Sequence, residues 1–313
     1  MSDAPRPDVS IVVPLLNEEA SVAELIARTR SAVEATGRSF ELVLVDDGSQ
    51  DRTAALLREA EHADPRLRVF ELTRNFGQNA ALACGIFEAR GDIVVTLDGD
   101  LQNPPEEIPK LLDALDQGAD VATGLRAQRY ESFPRWLGSR AIHLVARHLT
   151  GADIRDFGGQ FKAYRRHVVD ALGRVWAPGK PIFPLALWLG FPVAEVEVRH
   201  DSRRAGTSRY SLRSLLRINL DLITSFSTLP LAAIGMAGAG ALALGTVGTV
   251  FCLFLDDVGW FPGALSLTLL GVGALLTASG VVGQYVGRIY GRVAGNSPAY
   301  VVRSEPRPRE RHS

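Results

Sequence analysis

An imbalance of charge is missing from this chain: 34 Lys and Arg stand against 35 Asp and Glu, a formal net charge of −1 over 313 residues. That balance gives no electrostatic reason to expect nucleic acid as a partner. Cysteine is scarce as well. Cys84 and Cys252 lie far apart in unlike surroundings, which leaves neither a disulfide framework nor a CxxC metal pattern. An apolar leader is also lacking, because Met1 to Asp8 is polar and proline-containing. We expect residues 1–8 to be disordered and the N-terminal part of the chain to stay in the cytosol.

What is present is a regular alternation. Val9–Pro14 reads as a strand stopped by proline, and Ser21–Ala35 as a helix with Val22, Leu25, Ile26 and Val33 at helical spacing and Gly37 as its stop. Phe40–Val45 is a second strand that empties into Asp46–Thr53, where Asp51 or Ser49 could cap the helix running through Leu56, Leu57 and Ala60. Arg68–Leu72, a helix over Ala80–Ala89 and a strand over Ile93–Leu97 continue the pattern. Such alternation argues for βαβ units and a mostly parallel sheet. Further on, Glu106–Gln117 reads as helix and Asp120–Gly124 as a short strand ending near Arg126. Lys162–Val175 reads as a basic helical segment, and Val193–Val198 as an alternating strand.

The stretch Val94-Val95-Thr96-Leu97-Asp98-Gly99-Asp100-Leu101-Gln102-Asn103-Pro104-Pro105 organises the rest. It is a β-branched run that ends in two carboxylates and breaks at prolines. In an open α/β sheet, ligands bind beyond the carboxyl ends of the strands, where Asp98 and Asp100 would lie. Two carboxylates one residue apart can share a hard divalent cation, with Gln102 adding a neutral oxygen and a substrate diphosphate supplying the rest. Taken alone, the same stretch is also a strand ending in a polar turn. After the last strand, His200-Asp201-Ser202-Arg203-Arg204-Ala205-Gly206-Thr207-Ser208-Arg209-Tyr210 is either a loop suited to gripping a phosphate or a solvated run of charge.

Two regions point to a bilayer. In Ser132–Thr150, Phe133, Trp136, Leu137, Ile142, Leu144, Val145 and Leu149 alternate with Arg135, Arg140, His143, Arg147 and His148. This is a basic amphipathic helix of the interfacial type, or else a surface helix packed on the sheet. Leu229–Leu255 and Gly263–Gly287 carry no charged residue. At about 1.5 Å per residue either is long enough for a hydrocarbon core of roughly 30 Å. Arg209, Arg213 and Arg217 precede the first and Arg288, Arg292 and Arg303 follow the second, while the turn between them has Asp256 and Asp257 and no Lys or Arg. The positive-inside rule puts both flanks on the cytoplasmic side. The expected organisation is therefore a catalytic domain over 9–210, a juxtamembrane helix over 211–228, two spans over 229–255 and 263–287, and a cytoplasmic tail over 288–313.

Pro14-x-x-Asn17-Glu18, Asp46-Asp47-Gly48-Ser49-x-Asp51-x-Thr53, Arg74-Asn75-x-Gly77 and Asp98-x-Asp100-x-Gln102 occur in one order along the chain. Together they resemble the inverting family-2 glycosyltransferases of the GT-A type. The two apolar segments and the Arg203/Gly206/Ser208/Tyr210 loop are similar to those of polyprenyl-phosphate glycosyltransferases, among them dolichol-phosphate mannose synthases. Asp100–Pro109 and Ala163–His167 lie nearest the undecaprenyl-phosphate 4-deoxy-4-formamido-L-arabinose transferases. Two departures stand out. Gly99 replaces the usual alanine, and Gly158-Gly159-Gln160-Phe161-Lys162 replaces a cysteine-containing segment.

The resemblance implies an α/β fold, a GT-A nucleotide-diphospho-sugar transferase domain with a mostly parallel sheet plus two C-terminal transmembrane helices. It implies transfer of a sugar from a nucleotide-sugar donor, UDP-linked in preference to GDP-linked, to a polyprenyl phosphate at the cytoplasmic face of the inner membrane. Pro14, Leu16, Glu18, Val45 and Asp47 would form the base and ribose pocket. Asp98, Asp100 and Gln102 would hold Mg²⁺ or Mn²⁺ beside Gly99. Arg126, Arg203 and Arg209 would bind donor or acceptor phosphate, and Asp156 matches the position proposed as catalytic base. Since a phosphate monoester with a second pKa of about 6 is largely ionised at neutral pH, Asp156 is expected to orient the acceptor rather than deprotonate it. A homotetramer is also implied. Two other functions compete with this one. A processive glycan synthase usually carries Gln-x-x-Arg-Trp, which occurs nowhere here, and more spans. A non-catalytic membrane-anchored nucleotide-sugar binder would show an incomplete metal or phosphate set.

Overall fold

The structure is a computed structural model that describes residues 6–126, 154, 159–177, 181–200 and 300–304, with scattered helical positions between 268 and 289. The chain divides into two compact units, one of residues 1–209 with 298–313, the other of residues 210–297. The Ser132–Thr150 helix, Asp156, the 201–210 loop, the first apolar segment and most of the second lie outside the described residues. Among the described residues, no helix is long and apolar enough to cross a membrane.

The first unit is built on one eight-stranded sheet. Its strands are β1 (Val9–Leu15), β2 (Phe40–Asp46), β3 (Leu67–Leu72), β4 (Ile93–Thr96), β5 (Val121–Arg126), β6 (Lys162–Arg165), β7 (Val193–Val198) and β8 (Val302–Ser304). They lie side by side in the order β7-β5-β6-β4-β1-β2-β3-β8. The run β4-β1-β2-β3 is parallel throughout. Every residue of β1 and β2 is buried, as expected of strands covered on both faces, which read as continuous apolar runs rather than alternating ones. The helices are α1 (Val22–Glu34), α2 (Thr53–Ala63), α3 (Gln78–Glu88), α4 (Ile108–Asp116), α5 (Arg166–Val175) and α6 (Ile182–Trp188). A 3-10 turn, Pro105–Glu107, leads into α4.

One buried acid belongs to the frame. Glu41 in β2 accepts hydrogen bonds from Ser10 Oγ at 2.6 Å, Arg68 at 3.2 Å and the Arg90 amide at 2.6 Å. A buried charge is tolerated when its lone pairs are used in this way.

The topology fixes where a ligand can sit. From β1 the chain builds outward to β2 and β3, then crosses back to lay β4 on the other side of β1. The sheet therefore reverses direction between β1 and β4, and crevices open at such switch points beyond the carboxyl ends of the strands.

Two strands differ from the sequence reading, which also did not mark the helix α6. Lys162–Arg165, expected as the start of a helix, is strand β6, bonded antiparallel to β4 on one side and to β5 on the other. Ladder bonds on both sides outweigh local helical preference. They also carry Lys162 into the interior at 1% exposure, where its ammonium bonds the Gly159 carbonyl and lies 4.3 Å from the centre of the Phe183 ring. Only from Arg166 onward is the segment helical. The second difference is β8: three residues near the C-terminus return as an antiparallel edge strand on β3. The Thr73 amide donates to the Val301 carbonyl at 2.9 Å, and Arg303 donates to the Thr73 carbonyl at 3.1 Å.

Candidate active site

Three loops meet at the carboxyl ends of β1, β2 and β4. The first, Leu16–Glu19, is stitched to the second, Asp46–Thr53. Pro14 and Val45 face each other in the β1–β2 register, and both are buried. Val45 has no exposed surface, so its side chain belongs to the packing of the sheet. Asn17 takes a left-handed φ of 55°, its amide donating to Ser49 Oγ at 2.9 Å and its Oδ1 accepting the Gln50 amide at 2.8 Å. Asparagine is among the few residues that enter this region readily. The Glu18 amide donates to Thr53 Oγ1 at 2.9 Å, and Ser21 Oγ donates to the Glu18 carboxylate at 2.9 Å. Neither expected residue caps α2: Arg52 stands at its N-cap without a side-chain cap bond, while Asp51, one residue earlier, accepts the Thr53 amide on Oδ1 at 2.9 Å and Ser49 serves the cross-loop bond.

The paired aspartates at the end of β2 do different work. Both are 3% exposed. Asp46 accepts the Ser49 amide at 3.2 Å. Asp47 spreads its two oxygens over the Phe76 amide at 2.7 Å and the Gly77 amide at 2.9 Å, and so folds the Arg74–Gly77 loop against the site. Burial pushes both carboxyls above the ordinary aspartate value, and the amide hydrogen bonds act against that rise. Gly48, between them and Ser49, has a φ of 73° and lies against the backbone of Arg74 and Asn75.

The third loop carries the two carboxylates that follow β4. Asp98 is partly exposed, with Oδ1 accepting Gln78 Nε2 at 2.9 Å and Oδ2 accepting Asn103 Nδ2 at 2.9 Å. Asp100 is also partly exposed, and its Oδ1 accepts the Gln102 amide at 3.2 Å. Between them, the Gly99 carbonyl lies 3.2 Å from Ser21 Oγ, sharing the hydroxyl proton with the Glu18 carboxylate just after the first loop. Leu101 is buried with φ 58°, a conformation costly for a non-glycine side chain and held by its surroundings. Asp98, Asp100 and the Gln102 amide oxygen make a hard-oxygen donor set on one turn, the chemistry that suits Mg²⁺ or Mn²⁺. Among the described residues, no group of three or more acidic, His or Cys side chains converges on one point. A cation held by these two carboxylates would complete its shell from a diphosphate or water.

Pro14, Leu16, Glu18, Val45, Asp47, Asp98, Gly99, Asp100 and Gln102 all lie at or just beyond the carboxyl ends of β1, β2 and β4, with Pro14 and Val45 buried in the sheet itself. The backbone of Arg126 ends β5 opposite Val198; its side chain, like Asp156, Arg203 and Arg209, lies outside the described residues. Sequence reasoning gave no role of their own to Gln78, Asn103 and His200, although Asn103 and His200 lie in stretches it singled out. Asn103 is 2% exposed, and its Oδ1 lies 3.2 Å from His200 Nδ1. A neutral amide within a few residues of a carboxylate pair was the available signal for Asn103. Gln78 follows the Arg74–Gly77 motif and His200 opens the arginine loop, but no local pattern shows that Gln78 reaches Asp98 or that His200 reaches Asn103.

Comparison with known proteins fits this geometry. The sequence model of Glycosyl transferase family 2 matches residues 10–173. The chain is 38% identical over 303 residues to the undecaprenyl-phosphate 4-deoxy-4-formamido-L-arabinose transferase of Shewanella sediminis, covering 94% of this chain and 91% of that protein. It is 39% identical over 307 residues to the protein of the same name from Pectobacterium atrosepticum, covering 94% and 92%. Among solved structures, glucosyl-3-phosphoglycerate synthase from Mycobacterium tuberculosis superposes with a TM-score of 0.50 at 20% identity, over 70% of this chain and 80% of that one. That likeness concerns the fold. With its β4-β1-β2-β3 core, its carboxylate turn at the switch point and this kinship across nearly its whole length, the chain belongs to glycosyl transferase family 2 and is a glycosyltransferase.

Proposed function

We propose that this enzyme moves a sugar from a nucleoside-diphosphate donor to undecaprenyl phosphate at the cytoplasmic face of the inner membrane. An oxygen of the lipid phosphate attacks the anomeric carbon, the bond to the nucleoside diphosphate breaks, and the configuration inverts. The observation that carries this reading is the turn Asp98–Gln102 at the β1/β4 switch point, where the Gly99 carbonyl lies 3.2 Å from the Ser21 hydroxyl just after the Leu16–Glu19 loop. Asp98, Asp100 and Gln102 would hold Mg²⁺ or Mn²⁺, which stabilises the charge developing on the leaving diphosphate. Pro14, Leu16, Glu18 and the loop closed by Asp47 would receive the base and ribose, with uracil favoured over guanine. Arg126, Arg203 and Arg209 would offset the repulsion between two approaching phosphates, and Asp156 would orient the acceptor.

The acceptor phosphate lies at headgroup level, so the site must be held there. Spans at 229–255 and 263–287 with the interfacial helix 132–150 would do so. The return of the chain to its own sheet as β8 supports an even number of crossings, because strands β1 to β7 and the C-terminal β8 share one sheet and hence one side of any bilayer. A homotetramer, as the resemblance implies, would cluster several such sites on one membrane patch. The test is release of nucleoside diphosphate from a panel of UDP- and GDP-sugars by the purified full chain in detergent, with and without undecaprenyl phosphate. Release from one donor that requires the lipid supports the reading and names the sugar. Release at the same rate without the lipid would overturn the acceptor assignment.

A further inference from the structure

The loop expected to grip phosphate is rooted on the same turn that carries the two carboxylates. At the end of β7, Arg199 Nε donates to Glu107 Oε1 at 2.8 Å and the Arg199 amide reaches Glu107 Oε2 at 3.4 Å. The Glu107 side chain is only 4% exposed. Burial alone would raise its pKa, but Lys110 and Arg199 hold it below the ordinary glutamate value, so it remains an anion that fixes this root. One residue on, His200 Nδ1 meets Asn103 Oδ1 at 3.2 Å, and Asn103 Nδ2 meets Asp98 Oδ2 at 2.9 Å.

The direction of these bonds follows from donor and acceptor capacity. A carboxylate only accepts, so Asn103 must present its NH₂ to Asp98 and its carbonyl to His200. His200 must then carry its proton on Nδ1. Asn103 has no freedom to reorient, because it is 2% exposed within the turn. Asp98 is thereby held on both oxygens by side-chain amides, Gln78 from α3 and Asn103 from its own loop.

We infer that Asn103 and His200 are positioning residues: Asn103 orients the Asp98 carboxylate toward the cation, and His200 joins that carboxylate to the root of the arginine loop. The inference rests on the reading of Asp98 as a metal ligand. Outer partners of metal ligands are worth about 10- to 100-fold in metal affinity. The arrangement ties the end of β7 to the Asp98 carboxylate through two successive hydrogen bonds.

The test is Mn²⁺ binding to the full chain in detergent with UDP present, read from the electron paramagnetic resonance signal of free Mn²⁺, beside the KM for undecaprenyl phosphate. Asn103→Ala is expected to weaken Mn²⁺ by about 10-fold or more. His200→Ala is expected to weaken Mn²⁺ and raise the lipid KM together, and His200→Asn, which keeps a donor near the Nδ1 position, is expected to restore both. His200 is exposed, so its variants stay informative even if Asn103→Ala fails to fold. Mn²⁺ affinity within twofold of wild type in His200→Ala and Asn103→Ala, with Asp98→Asn losing it, would overturn the positioning role alone. Wild-type affinity in Asp98→Asn as well would overturn the metal reading, and this inference with it.

Discussion

At Gly48 the backbone turns at φ 73°, and a Cβ would stand 2.6 Å from the carbonyl carbon of Arg74 and 2.7 Å from the Asn75 nitrogen. Neither atom can move without dislodging the Arg74–Gly77 loop that Asp47 holds by two amides. Alanine there meets a left-handed penalty of about 1–2 kcal/mol before any clash is counted. Gly48→Ala is therefore expected to lower stability by more than about 2 kcal/mol in urea unfolding and to weaken UDP binding. Gly99 makes the contrast. A Cβ there would meet the Leu15 Cδ2 end at 3.0 Å, which can shift, and the Pro14 carbonyl at 3.1 Å, a backbone atom that must give by a few tenths of an ångström. Gly99→Ala is expected to cost about 1 kcal/mol, less than Gly48→Ala, and to keep part of the activity. A different residue reports on pH. Hydrogen bonds from Arg66 hold the Asp64 carboxyl below its usual 3.8. A lowered native pKa gives stability that is present above 3.8 and is lost as pH falls through the native value. The stability gap between wild type and Asp64→Asn should be constant from about pH 5 to 7 and close below about 3.8. A gap that persists at low pH would mean that the carboxylate charge is not what Arg66 stabilises.

Among the elements, β8 adds the most that the sequence did not disclose. It is three residues long and pairs with Glu71 and Leu72, directly before the Arg74–Gly77 loop. Ending the chain at residue 299 should speed hydrogen exchange over residues 71–77 and raise the donor KM more than it lowers kcat. Unchanged exchange there would show that β8 does not brace the loop. The parallel core was legible because β1, β2, β3 and β4 are short, mostly apolar segments separated by helices of ordinary length, and pattern alone identifies such units. β6 was not, since Lys162 reads as a surface residue and only contacts made 66 residues away in sequence, at Thr96, make it interior. β8 was invisible for a related reason: three residues have no period, and their partner is far along the chain. In the site, Asp98 and Asp100 stood out through their spacing, and Asp47 through its neighbours. Asn103 and His200 emerged only when the fold brought the end of β7 onto the carboxylate turn.

For the molecule as a whole, the sheet constrains the membrane arrangement. Strands β1 to β7 and the C-terminal β8 share one sheet, so reporters fused before residue 9 and after residue 304 should be protected or reactive together in sealed vesicles. Opposite labelling of the two ends would contradict two spans. The central claim concerns chemistry at the β1/β4 crevice, and one measurement bears on it most directly. Full-length enzyme in detergent, stripped with a chelator, is given undecaprenyl phosphate and the active donor, and the lipid extract is weighed by mass spectrometry across a Mn²⁺ titration. The account predicts that a lipid heavier by one sugar residue forms only as Mn²⁺ is restored, and that Asp100→Asn lowers its rate by about 100-fold or more at the same metal concentration. The same lipid product at the wild-type rate with chelator present, or from Asp100→Asn, would contradict it.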